Sequence, residues 1–135
     1  MQIPLFKPQT EWLPPENFPD LSKYDEIAID LETKDPELTK MGSGSVVGKG
    51  DVVGIAIAVE GWSGYYPIAH EGGGNMSRAK VLKWFQGVLN TPADKIFHNA
   101  MYDVCWIRAL SLNINGRIID TMIASALVDE NQMRY

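Results

Sequence analysis

Apolar and polar positions alternate with period two along 27-IAIDLETK-34. Ile27, Ile29 and Leu31 fall on one side and Ala28, Asp30 and Glu32 on the other, as in a strand with one buried face. The spacing predicts a first strand over residues 24–31. The runs 52-VVGIAIAVE-60 and 63-SGYYPIAH-70, joined at Glu60, Gly61 and Trp62, read as a hairpin whose Pro67 suits a sheet edge. The period then changes. Val81, Trp84, Phe85, Val88 and Leu89 form a helical stripe, with Ser77 as N-cap, Met76 and Val81 spaced as a hydrophobic staple, and Thr91-Pro92 as the stop. A short strand at 95-KIFH-98 precedes a helix from about Ala100 to Leu110, with Val104, Ile107 and Ser111 along one side. Asn115-Gly116 turns the chain into 117-RIID-120, and Asp120 is placed as N-cap of a last helix with the stripe Ile123, Ala126 and Leu127.

Three strands followed by helix, strand, helix, strand and helix predict one α/β domain with a mixed sheet, antiparallel at first and parallel afterwards. Residues 1–23 carry Pro4, Pro8, Pro14, Pro15 and Pro19, which exclude a continuous helix or central strand and predict an extended leader. Trp12, Leu13 and Phe18 are its candidate docking points, and residues 24–135 form the domain proper. Thr33 to Asp51, with 42-GSGSVVGKGD-51, reads as a mobile loop. Its 48-GKG-50 lacks the Ser or Thr that follows Lys in a nucleotide-binding loop, so a phosphate cradle is not expected there.

Composition narrows the class. At 135 residues, 45% hydrophobic and 21% charged, the chain suits a single packed domain. Cys105 is the one cysteine, which excludes an internal disulfide and a cysteine-rich zinc site. No apolar run reaches the length of a membrane span, so a soluble, reducing, cytoplasmic setting is expected. The net charge of −5 argues against gripping long polyanions by bulk electrostatics. A site that holds phosphates through bound metal ions stays open, because the ions invert the local charge.

The candidate chemistry starts at the tip of the first strand. Asp30 and Glu32, two residues apart, point the same way with alpha carbons about 6–7 Å apart. Their oxygens suit a hard cation such as magnesium or manganese. The same pair also describes a solvated acidic strand end. A second group lies in 97-FHNAMYDVCWI-107, where a strand leads into a helix carrying Asp103 in its first turn. Asp103 serves either the helix dipole or a site shared with Asp30 at the strand ends, where open sheets bind ligands. Asn99 is either the N-cap or a group that orients phosphate, a metal-bound water or a neighbouring carboxylate. His70 and His98 are open to structural and site-related readings. Trp62, Tyr65, Tyr66 and Trp84 are candidates for base stacking, although Trp84 belongs to a core stripe and the tyrosines alternate across their strand.

Taken together, these residues resemble a known family. Asp30-x-Glu32 is similar to the first motif of the DEDD 3′-to-5′ exonucleases, of the ribonuclease H-like fold. Asn99-x-x-x-Asp103, led in by Phe97 and His98, resembles the second motif of the proofreading exonuclease domain in bacterial and phage family A DNA polymerases. The strand 65-YYPIAH-70 and the run 119-IDTMIASALVD-129 resemble segments of the same domains, so the likeness covers about Tyr24 to the C-terminus. It implies a ribonuclease H-like mixed sheet flanked by helices. It also implies two Mg2+ or Mn2+ ions, with Asp30 bridging both, Glu32 on the first and Asp103 on the second, and with Asn99 in support. Two such ions sit about 4 Å apart across a phosphodiester. The implied reaction removes single nucleotides from a single-stranded or frayed DNA 3′ end, beside a polymerase module in the intact protein. Asp120 matches no metal ligand of the family, and Leu38 is a poor match for its wedge residue.

The family's third motif, Tyr-x-x-x-Asp or His-x-x-x-x-Asp, lies beyond the Asp-Thr-Met helix and is not reached by Tyr135. The chain is therefore expected to be the leading part of an exonuclease domain, C-terminally incomplete and poorly active by itself. Two other readings remain: an exoribonuclease of the same superfamily, and a non-catalytic fragment that binds nucleic acid or serves structure alone.

Overall fold

A computed structural model describes residues 17–128. Strands β1 (Glu26–Lys34), β2 (Asp51–Val59) and β3 (Trp62–Pro67) run antiparallel in series. Helix α3 (Arg78–Asn90) crosses to β4 (Asp94–Phe97), and α4 (Ala100–Ala109) crosses to β5 (Ile118–Asp120), which leads into α5 (Thr121–Val128). Two short helices, α1 (Leu38–Met41) and α2 (Gly44–Val47), lie between β1 and β2. The sheet order is β3-β2-β1-β4-β5, with β4 parallel to β1 and β5 parallel to β4. The mixed sheet expected from the strand order is present, and Pro67 lies on an edge strand, where its missing amide breaks no ladder bond.

Period two sets the core. Ile27, Ile29 and Leu31 of β1 are buried together with Ile55 and Ile57 of β2 and Val81, Phe85, Val88 and Leu89 of α3. Each such side chain contributes about 1.5–3 kcal/mol relative to exposure. Ser77 caps α3 by accepting the Lys80 amide hydrogen at 3.4 Å, and Thr91 ends it. The opposite face of β1 carries half-buried Ala28 and exposed Asp30 and Glu32.

The described end of the leader docks as expected through Phe18, whose ring stacks on Tyr66 at 5.6 Å and stands 5.7 Å from Trp84. Trp84 Nε1 donates to the Pro19 carbonyl at 2.9 Å, and the Tyr66 hydroxyl donates to that of Asn17 at 3.2 Å. Trp84 and Tyr66 thus hold the leader, and the fully buried Tyr66 offers no face to a base. Trp12, Leu13 and the first four prolines lie outside the described residues.

Three expectations need correction. The segment from Thr33 to Asp51 is not a featureless loop. The Asp35 carboxylate accepts the Gly44 amide hydrogen at 3.0 Å and the Tyr102 hydroxyl hydrogen at 2.8 Å, tying α2 to α4. Gly44 is packed so closely that an added Cβ would stand 1.8 Å from the Lys49 carbonyl oxygen. Glycine is there for proximity rather than for flexibility. In α4 the buried side runs through Ala100, Asp103, Trp106 and Ile107, while Val104 is half-buried and Ser111 exposed. The stripe is rotated because a carboxylate occupies one of its inward positions. In α5, Ile123 and Leu127 are 58% and 83% exposed, so the apolar spacing there does not mark a covered face among the described residues. The Ala126 side chain lies outside them.

One buried cation was not foreseen. Lys95 on β4 is fully buried, and its ammonium donates to the carbonyls of Thr91, Ala93 (2.9 Å) and Asn115 (2.8 Å). It ties the end of α3 to the turn before β5. Burial pulls its pKa down, partly offset by the adjacent Asp94 carboxylate.

Candidate carboxylate site

β1 pairs with β4 only over Glu26, Ile27 and Ala28, so its second half leaves that neighbour before the acidic positions begin. Asp103 from α4 reaches this part of β1, where the Leu31 backbone hydrogen-bonds its carboxyl group. The side chain is 3% exposed, and its Oδ2 has no hydrogen-bond partner among the described residues. Burial first, then the negative charge of Asp30 and, more weakly, that of Asp120 push its pKa up to about 7, against the Leu31 bond. A carboxyl group buried beside a second carboxylate with an unused oxygen is costly unless a cation joins it.

The sequence-predicted acids are thus brought together unequally. Asp30 and Asp103 are close enough for the charge of Asp30 to add to the effect of burial on Asp103. Glu32 stands two residues along the same face and is held by the Tyr65 hydroxyl, which donates to Oε2 at 2.7 Å. Among the described residues no three His, Cys, Asp or Glu side chains already form a metal cage. The donor set nevertheless suits a hard divalent ion: carboxylate oxygens alone, one of them buried and unpaired.

Asn99 precedes α4 in the left-handed conformation (φ 67°), a geometry Asn tolerates better than most side chains. Its side chain makes no capping bond, contrary to the N-cap reading. Asp120 does the capping instead. Its Oδ1 accepts the amide hydrogens of Asn99 and Met122, both at 3.0 Å, and its Oδ2 that of Ala100 at 2.9 Å. The carboxylate therefore serves α5, as expected, and α4 as well. Desolvation raises its pKa, but the amides of Ala100, Met122 and Asn99 outweigh that and hold it below the usual value. Asp120→Ala should lower folding stability by about 2–3 kcal/mol, since three amides of two helices lose an anionic acceptor. Urea unfolding that differs from wild type by less than about 0.5 kcal/mol would contradict this double cap.

Beside the acids an open cleft of about 650 Å³ runs over the uncovered sheet face, lined by Ala28, Asp30, Ala56, Tyr65, His98 and Thr121 among others. The alanines keep that face shallow. His98 is exposed at the cleft, with Nδ1 3.0 Å from the Thr121 hydroxyl.

The sequence is 36% identical over 110 residues to a DNA-directed DNA polymerase of Pseudomonas phage M6, a match spanning 77% of this chain and 17% of that protein. It is 28% identical over 120 residues to DNA polymerase DpoZ of Salmonella phage PMBT28, covering 87% and 17% respectively. The chain therefore spans about a sixth of the length of these relatives. Its fold matches NrnC of Brucella melitensis with a TM-score of 0.53 at 21% identity, over 83% of this chain and 48% of that one. The fold is ribonuclease H-like. A second structure of NrnC, with bound Mg2+, matches with a TM-score of 0.51 at 20% identity. No family model matches the sequence. No helix among the described residues is long and apolar enough to cross a membrane.

Proposed function

We propose that the chain is part of the 3′-to-5′ proofreading exonuclease domain of a phage DNA polymerase, acting in the cytoplasm of the infected cell. Asp30, Glu32 and Asp103 hold Mg2+ or Mn2+, and Asn99, at the start of α4, has a supporting role. The observation that carries this reading is the buried Asp103 carboxyl group, with one unpaired oxygen, within electrostatic reach of Asp30. The phage polymerase relatives supply the biological frame. When bound, the ions supply charge neutralisation and activation for phosphodiester hydrolysis.

The chain's own residues do the rest. Asp30 and Glu32, on one strand face, present hard oxygen ligands from a rigid element. Asp103 adds one from α4, whose start is fixed by Asp120. The cleft over Ala28 and Ala56 leaves room for a strand end beside them. A single-stranded or frayed 3′ terminus is the expected substrate, and a polymerase module is the expected partner within the longer protein.

The test compares matched DNA and RNA oligonucleotides, labelled at either end, with the full-length protein in Mg2+. Release of nucleoside 5′-monophosphates from the 3′ end of DNA, at least about tenfold faster from single strands than from duplex, is the expected result, a difference of about 1.4 kcal/mol in barrier. Faster loss of RNA would favour an exoribonuclease. No hydrolysis of either would leave a non-catalytic domain.

A further inference from the structure

Glu32 belongs to a chain of hydrogen bonds that reaches away from the acids. The Tyr65 hydroxyl donates to Glu32 Oε2 at 2.7 Å and lies 2.6 Å from His70 Nε2. A phenol has one proton. With that proton directed to Glu32, the hydrogen in the second contact has to come from His70, which fixes its protonated nitrogen as Nε2. We propose that His70 and Tyr65 are positioning residues that hold the Glu32 carboxylate in place to join Asp30 and Asp103 around a divalent cation.

The fold prepares this contact at several points. Glu32 lies opposite Gly54, and Ala56 lies opposite both Asp30 and Tyr65, so Tyr65 must lean diagonally across β2 to reach Glu32. Gly54 lets it pass, since an added Cβ there would stand 1.8 Å from the Tyr65 hydroxyl oxygen. His70 is fixed by Asn75, whose Oδ1 accepts the His70 amide hydrogen at 2.7 Å and whose Nδ2 donates to its carbonyl at 2.8 Å. The rings of Tyr65 and His70 meet edge to face at 5.8 Å. An exposed glutamate would otherwise sample several rotamers, and holding it in advance removes that entropy cost from cation binding.

This inference rests on the reading of the three acids as metal ligands, and one set of variants separates the two. Mn2+ binding to the 135-residue chain is measured by calorimetry for wild type, Tyr65→Phe, His70→Ala and Asp103→Asn, with thermal midpoints recorded in EDTA. Tyr65→Phe and His70→Ala should each weaken Mn2+ binding about tenfold or more. The metal-free midpoint of Tyr65→Phe should stay close to wild type. Nitrogen-15 spectra should show His70 protonated on Nε2 in wild type and a tautomer mixture in Tyr65→Phe. If Asp103→Asn loses Mn2+ while Tyr65→Phe binds it as wild type does, the positioning role is overturned and the metal site stands. If Asp103→Asn binds Mn2+ unchanged, both readings fall. A Tyr65→Phe chain with a lowered midpoint and unaltered affinity marks a structural tyrosine and also overturns the proposal.

Discussion

Asp103→Asn should reduce 3′-end hydrolysis by the full-length protein by about three orders of magnitude, or about 4 kcal/mol in the barrier. Asn keeps the size of the side chain and removes the charge. It leaves a neutral amide where the structure places a buried carboxyl group with an unpaired oxygen beside Asp30. A cation held by Asp30 and Glu32 alone would be bound from one strand face, with nothing from α4 to complete its shell. Asp30→Asn should act similarly, because Asp30 is the acid nearest in charge to Asp103. The two losses should not add, since each variant disables the same ion binding. Glu60→Gln, at the exposed hairpin turn, removes an acid remote from the site and should leave the rate within about twofold, under 0.5 kcal/mol in barrier. Retention of more than a tenth of wild-type activity in Asp103→Asn would remove that residue from the site.

The second large effect is on stability. In the metal-free chain Asp103 has its pKa pushed up to about 7, from 3.8 in the unfolded state. Below pH 4 the group is neutral in both states and carries no penalty. Between pH 4 and 7 the unfolded chain releases a proton that the folded chain keeps, so stability falls as pH rises. Above pH 7 the full penalty is present, about 4 kcal/mol. The carboxylates with lowered pKa, Asp20, Glu71, Asp94 and Asp120, act in the opposite sense and lose their contribution as pH falls below their unfolded values. The slope between pH 4 and 7 is therefore assigned to Asp103. Urea unfolding in EDTA should show the wild type losing stability across this range and Asp103→Asn staying nearly flat. At pH 8 the variant should be the more stable of the two. A wild-type curve without that slope would mean that the carboxyl group is not held in a dry, negatively charged environment.

Those two expectations depend on features of unequal legibility in the sequence. β1 was readable because Ile27, Ile29 and Leu31 alternate with Ala28, Asp30 and Glu32, and a period-two pattern fixes both strand and face. The α3 stripe was readable for the corresponding helical reason. The buried side of α4 was not, because two of its inward positions are Ala100 and Asp103, neither of which scores as core. Its true meaning is chemical: an acid turned inward toward another acid. The ordering of α1 and α2 was hidden behind a Gly- and Ser-rich composition. It comes from Asp35 and Tyr102, one at each end of a contact 67 residues long. Such a contact has no local signature.

The apolar spacing of Ile123 and Leu127 predicts a core stripe, but spacing alone shows which residues share a side and never what covers them. Asn99 looked like an N-cap by type and position. The left-handed backbone instead leaves the capping to Asp120, which also caps the next helix. The hold of Tyr65 on Glu32 was missed altogether. Its one trace in the sequence is Gly54 in the middle of a strand, a position where glycine weakens the sheet unless another group must pass close by.

The most direct test is crystallographic: crystals of the chain grown with Mn2+, with anomalous scattering recorded at the manganese edge. The account predicts a manganese peak in contact with the carboxylates of both Asp30 and Asp103, absent in crystals of Asp103→Asn. Manganese found only elsewhere, with the Asp103 carboxyl group still unliganded, would contradict it.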